Sequence, residues 1–278
     1  MLVSSLVALA VVAGTAAVLV VGRRRHDRHV SAISSRIESA ERISAERREI
    51  DASLPPVARR FFAHALSGES VLPGSVRLAM KGHIGLRPGA EKMPFTAEQV
   101  ISRLGFVWAA QVGTGVVRFS GDDTWFGGRG DMAWYLAGVV PVVRASGPDV
   151  SRSAAGRLAL ELAVMLPPAL HPVTGTSWHQ LDEETARVSM EIGEELLEPL
   201  LTIDPDGALR RIEMDRWDAD AGDGVPGFVR WKAELDQDET FDGVTIPTRM
   251  RVVKRWGTAA ADEFFDAEVV SARFTSSG

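Results

Sequence analysis

Glu161 stands in the strangest surroundings of any carboxylate in this chain, following Leu160 and preceding Leu162 and Ala163 in an apolar stretch. A carboxylate buried among such neighbours is costly unless paired, so it either meets a cation or is held perturbed for a purpose. Arg157, one helical turn earlier, offers the pairing account. The chemical account makes Glu161 or Asp131, with a neighbouring histidine, the proton-handling group of an enzyme. No metal is expected, because His64, His83, His171 and His179 are scattered without ligand spacing. No cofactor is expected either, since GxSxG, HExxH, GxxxxGK[ST] and GxGxxG strings are absent. Phe126-Gly127-Gly128-Arg129-Gly130 reads as a hairpin turn, because no helical pattern follows it to hold a phosphate. Asp215, Asp218, Asp220 and Asp223 do not form a calcium loop: counted from Asp218, the fifth and twelfth positions hold Gly222 and Val229. With no cysteine, disulfides and thiolate chemistry are excluded together.

The aromatic residues support a different chemistry. Trp134 and Tyr135 lie in Met132–Val143, a run without a charge that reads as a strand buried on both faces. With Trp108, Trp178 and Glu161 they are the candidate walls of a cavity for an apolar ligand, the alternative being a plain central core strand.

The elements that must position these residues are mostly strands. Val76, Leu78, Met80 and Ile84 alternate with Arg77, Lys81 and His83; Val188, Met190 and Ile192 alternate with Arg187, Ser189 and Glu191. Val229, Trp231, Ala233 and Leu235 alternate with Arg230, Lys232 and Glu234, and Met250 and Val252 with Arg249 and Arg251. A period of two with one wet face is the habit of antiparallel sheets. Turn signals at Asp204-Pro205-Asp206-Gly207, Gly222-Asp223-Gly224 and Asp242-Gly243 separate roughly nine to eleven such strands. Two short helices are expected, Val57 to Leu66 after the Pro55-Pro56 boundary and one opening at a Thr96–Gln99 capping box, and one long helix, Ser151 to Met165, stopped by Pro167 and Pro168.

These proportions carry a functional expectation. Ten strands at ~4.8 Å spacing span nearly 50 Å, whereas a fifteen-residue helix is ~22 Å long and ~10 Å across. One helix cannot cover that apolar face, so the sheet must curl, pack on another sheet or enclose a ligand. The fold class expected is mainly β (α+β): a large curved antiparallel sheet or half-barrel with one or two packed helices, plus an N-terminal transmembrane helix.

That helix is read from residues 1–22, which carry no charged side chain and place Leu2, Leu6, Leu9, Val12, Leu19 and Val21 in one apolar run about as long as a bilayer is thick. Arg23, Arg24, Arg25 and Arg28 follow the run rather than precede it, which favours an uncleaved anchor over a signal peptide. They also set a topology of N-terminus outside and globular part in the cytoplasm, making a single-pass protein of the cell membrane. Residues 23–53 read as a basic juxtamembrane stalk with a thin apolar seam (Val30, Ile33, Ile37, Ala40, Ile43, Ile50), either solvated or self-associating, and residues 54–278 as a single β-rich domain. Eight arginines against five acids give residues 1–50 a charge of +3, which leaves −9 on the rest of a chain whose net charge is −6. An acidic globular part excludes nucleic acid as a partner and leaves anionic lipid to the basic segment.

Leu54-Pro55-Pro56-Val57 with Phe61-Phe62, the string Met93-Pro94-Phe95-Thr96-Ala97-Glu98-Gln99, Gly105-Phe106-Val107-Trp108, the Gly138-to-Gly147 segment, and Leu166-Pro167-Pro168-Ala169-Leu170 followed by Trp178 resemble an uncharacterised bacterial family, a domain of unknown function, over roughly residues 54–274. In plan the chain is also similar to the lipoprotein-carrier (LolA-like) half-barrels, which enclose acyl chains. The expected partners are therefore the bilayer, through the N-terminal helix, and a hydrophobic small molecule in the concavity of the curled sheet. The other readings are an enzyme of unknown class using Glu161 or Asp131, and a membrane-tethered scaffold using residues 30–50 or the Trp125-Phe126 loop.

Overall fold

The computed structural model describes residues 2–40, 43–44, 54–66, 71–115, 117–222 and 224–275, with side chains described over 17–40, 54–66, 72–115, 118–222 and 224–275. In chain order the elements are α1 (Leu2–Glu38), β1 (Ile43–Ser44), α2 (Pro56–Ala65), β2 (Val71–Leu72), β3 (Ser75–Ile84), β4 (Met93–Ser102), β5 (Gly105–Thr114), β6 (Val117–Phe126), β7 (Arg129–Leu136) and β8 (Val140–Ser146). After these come α3 (Pro148–Met165), two 3₁₀ turns, β9 (Ser177–Gln180), β10 (Thr185–Ile192), β11 (Glu195–Leu197), β12 (Leu200–Ile203), β13 (Leu209–Gly222), β14 (Val225–Phe241), β15 (Val244–Lys254) and β16 (Asp262–Thr275).

Apart from the short β1–β2 ribbon, the described strands form one antiparallel sheet of 14 in the order β11-β10-β12-β13-β14-β15-β16-β3-β4-β5-β6-β7-β8, with β9 on β10. α3 packs against both β7 and β13, which stand eight steps apart in that order. Laid flat, eight steps would span roughly 38 Å, and a helix is only ~10 Å across. The sheet therefore curls around α3.

Cross-strand register shows which residues face the helix. Ile212, Met214 and Arg216 of β13 oppose Ala233, Trp231 and Val229 of β14. On the other flank Gln99 opposes Trp108, Trp108 opposes Asp123, and Asp123 opposes Met132. The inner surface is closed by Leu158, Ala159 and Leu162 of α3, all fully buried in one core that includes Val76, Leu78, Phe106 and Ile212. Burying each such leucine contributes about 1.5–3 kcal/mol.

Tertiary pairing overrides the expected helix at Thr96–Gln99. Those residues lie inside β4, because Phe95, Ala97, Gln99 and Ile101 alternate onto the inner face and pair at every position with β3 and β5. The uncharged run Met132–Val143 is not one doubly buried strand either: it turns at Ala137-Gly138, both at positive φ, and continues as β8, an edge strand with Val140, Val142 and Val143 exposed. Trp125 and Phe126 are no exposed loop, since Trp125 is buried in β6 and Arg36 covers the Phe126 ring at 4.7 Å.

The seam expected on a solvated stalk is in fact docked. Val30, Ile33 and the fully buried Ile37 of α1 pack on Val100, Val107 and Phe126, on the outer face of β4–β6. His26 bonds Asp122 at 2.8 Å, Arg23 stacks on Tyr135 at 4.1 Å, and Arg77 donates to Glu38 at 2.7 Å. The membrane span expected over residues 1–22 rests mostly on side chains outside the description. Among the described residues no helix is long and apolar enough to cross a membrane.

Candidate functional site

Between α3 and the curled sheet lies a cavity of about 340 Å³, within the roughly 300–1,000 Å³ of small-molecule sites. Its walls are mostly apolar: Met80 and Ile84 from β3, Leu160, Val164 and Met165 from α3, and Met250, Val252 and Phe265 from β15 and β16. Its charged and amide side chains are Gln99, Asp123, Arg157, Glu161, Arg216 and Lys232. A smaller hollow of about 180 Å³ shares Asp123, Met132, Arg157 and Arg216 with it, so these charged groups stand between the two spaces.

Arg157 organises the charged wall. Its Nε donates to Glu161 at 2.7 Å, its Nη1 donates to Asp123 at 3.0 Å, and its guanidinium covers the Phe106 ring at 4.7 Å. Gln99 Nε2, itself buried, donates to the other Glu161 oxygen at 2.6 Å, and Trp134 Nε1 donates to Asp123 at 3.0 Å. Both carboxylates are thus hydrogen-bonded on each oxygen. Burial pushes the Asp123 carboxyl above its ordinary value, against the opposing pull of Arg157 and Trp134. For Arg157 burial works against the charge, and Glu161 and Asp123 outweigh it, holding the guanidinium above its ordinary value.

Arg216 is placed differently. Its stem crosses α3 at Gly156, where a Cβ would sit 2.8 Å from Arg216 Cγ. Its Nε and Nη2 donate to the carbonyl and hydroxyl of Ser153 at 2.9 and 3.2 Å, and its Cζ lies 4.3 Å from the Trp231 ring. It has no acidic partner within salt-bridge distance among the described residues. Burial, then the charge of Arg157, lowers it to about 10, which still leaves it charged at neutral pH. Lys232 and Lys254, by contrast, are paired with Glu234 and Asp218. Two further donors in the wall, the buried indole N–H groups of Trp108 and Trp231, have no acceptor among the described residues.

The residues singled out from sequence fall in three places. Trp108 and Glu161 line the cavity, and Trp134 packs on Trp108 at 5.8 Å just behind it. Tyr135 lies on the outer face beneath α1, and Trp178 packs on Phe61 and Phe62, donating to the Leu170 carbonyl. Asp131 is exposed and opposes Thr124, one position out of phase with the inward Asp123 and Met132. The contacts of Glu161 are to Arg157 and Gln99, not to a histidine. Sequence reasoning missed Asp123 and Arg216. The signal for Arg216 was its parity: it continues the inward series Ile212, Met214.

A curled antiparallel sheet holding a helix and a largely apolar hollow defines this protein's class. The chain belongs to DUF6544, a family of unknown function, whose profile matches residues 43–266. No curated protein matches it. Among solved structures it is similar to a LolA superfamily protein from Nitrosomonas europaea, with 8% identity and a TM-score of 0.40 over 80% of this chain and 93% of that one. It is also similar to a DUF1329 family protein from Desulfovibrio piger, with 14% identity and a TM-score of 0.42 over 73% and 86% of the two chains.

Proposed function

We propose that this protein is a membrane-tethered binding protein that shelters an apolar or lipid-like molecule between α3 and the curled sheet. The observation that carries the reading is the cavity itself, about 340 Å³ of space walled mainly by methionine, leucine, valine and phenylalanine side chains. Protein interiors ordinarily close such spaces, because side chains beside a void forfeit dispersion contacts. A space of this size kept open beside a helix is most useful when something apolar enters it.

The tether belongs to the same proposal. Residues 1–22 are uncharged and α1 runs without a break into the segment docked by Ile33 and Ile37, so an anchor there would hold the sheet close to the bilayer. The arginines that follow put the sheet on the cytoplasmic side. Native mass spectrometry of the full chain, purified in mild detergent, tests the binding function. The expected result is an adduct that organic extraction releases as a lipid-like molecule; a ligand-free protein that takes up no added alkyl compound refutes it.

A further inference from the structure

The polar end of the cavity identifies the kind of molecule it would take. Two buried donors in its wall have nothing among the described residues to receive their hydrogens, Trp108 Nε1 and Trp231 Nε1, and Arg216, whose Nε and Nη2 donate to Ser153, lies against the Trp231 ring. A buried donor without an acceptor costs about 1–3 kcal/mol. The acceptors nearby are already committed: the oxygens of Glu161 take Gln99 and Arg157, and those of Asp123 take Trp134 and Arg157. Each oxygen of Glu161 and Asp123 thus already takes a hydrogen bond, while the two indole donors have no partner among the described residues. Arg216 is also the cavity-lining cation without a carboxylate partner among the described residues, since Arg157 bridges two acids and Lys232 is paired with Glu234.

We propose that the ligand is an anionic amphiphile whose carboxylate or phosphate head is received by Arg216 and the indole N–H groups of Trp108 and Trp231, with its alkyl chain lying along Ile84, Met250, Val252 and Phe265. This rests on the binding function proposed above and adds the chemistry of the head. A guanidinium forks onto either oxyanion with two parallel N–H donors, and indole N–H donates without accepting, so the set matches a group that only accepts. The placement agrees. Asp123, Arg157 and Arg216 also border the smaller hollow, toward Ser153 and Ala219, whereas Ile84, Met250, Val252 and Phe265 of β3, β15 and β16 line only the larger of the two spaces. Gly156 gives Arg216 its path across α3, because any side chain there would collide with the arginine stem.

Isothermal titration of the full chain with octanoate, octyl phosphate, methyl octanoate and octanol tests this. The two anions should bind at least tenfold more tightly than the two neutral compounds, the value of a charge-assisted contact inside an apolar site. Whichever anion binds tighter assigns the head as carboxylate or phosphate. Arg216→Met should lower affinity for the anions about tenfold and leave octanol unchanged; Arg216→Lys should recover part of the loss. Trp231→Phe, which keeps the ring and removes the N–H, should weaken the anions by a few-fold. Equal binding of anions and neutral compounds overturns the head-group assignment while leaving the apolar cavity intact. Binding of none of the four overturns both.

Discussion

Replacing Arg157 by methionine would leave the side chain's bulk against Phe106 and Trp108 and remove the charge that joins Asp123 to Glu161. Both acids keep their neutral donors, Trp134 and Gln99, and lose bonds of 3.0 and 2.7 Å to the guanidinium. Removing one partner of a buried ion pair typically costs about 3–5 kcal/mol, because it strands charge in a medium that solvates it poorly. At about 2–4 °C per kcal/mol for a chain of this size, the melting temperature should fall by roughly 6–20 °C. The pH dependence gives a second handle. Burial already raises the Asp123 carboxyl, and losing Arg157 raises it further. An acid whose folded pKa lies above its unfolded value weakens the fold at higher pH, so that deficit is recovered as pH falls through the folded pKa. The assay is thermal unfolding of wild type and variant, followed by circular dichroism from neutral to mildly acidic pH. A triple variant adding Asp123→Asn and Glu161→Gln should regain much of the loss. A deficit of under about 2 °C at neutral pH, or one that widens toward acid, would refute the reasoning.

Three other outcomes follow from the same geometry. Ile37→Ala empties a fully buried position beneath α1, and at about 2–5 kcal/mol for a core truncation it should release that helix without unfolding the sheet, seen as faster amide exchange in residues 30–38 than in β4 and β5. Gly156→Ala should gain up to about 1 kcal/mol of helix propensity and lose it by displacing Arg216, so the melting temperature should barely move while anion binding weakens. The hydrogen bond from Lys232 holds Glu234 below the usual carboxylate range, so its contribution is full above the unfolded glutamate pKa and disappears as pH falls through the folded one. Because Glu234 is half-exposed and screened by solvent, that contribution should stay below about 1 kcal/mol, and the acid limb of the stability curve should flatten by that amount in Lys232→Met.

How far the sequence could be read depended on whether local pattern and tertiary pairing agreed. Alternation around Val229–Leu235 and Val188–Ile192 located β14 and β10, and the Asp242-Gly243 turn holds both residues at positive φ between β14 and β15. The α3 helix begins at Pro148, three residues ahead of the expectation. The Arg157–Glu161 pair was legible because it is local, one turn apart on a single helix. Asp123 and Arg216 join it from β6 and β13, across a curled sheet, and no spacing in the chain encodes that meeting. Thr96–Gln99 misled because a capping box is a signal of a few residues, while ladders on both sides of β4 decide the outcome. The seam at Val30, Ile33 and Ile37 was visible as a period; that its partner would be the outer face of the sheet was not.

The most direct test of the central claim is a crystal of the full chain soaked with bromo-octane and measured at the bromine absorption edge. An anomalous peak is expected between α3 and the inner face of β14–β16, close to Val164, Ala233 and Phe265. A refined map with those side chains closed over the space and no peak there would contradict it.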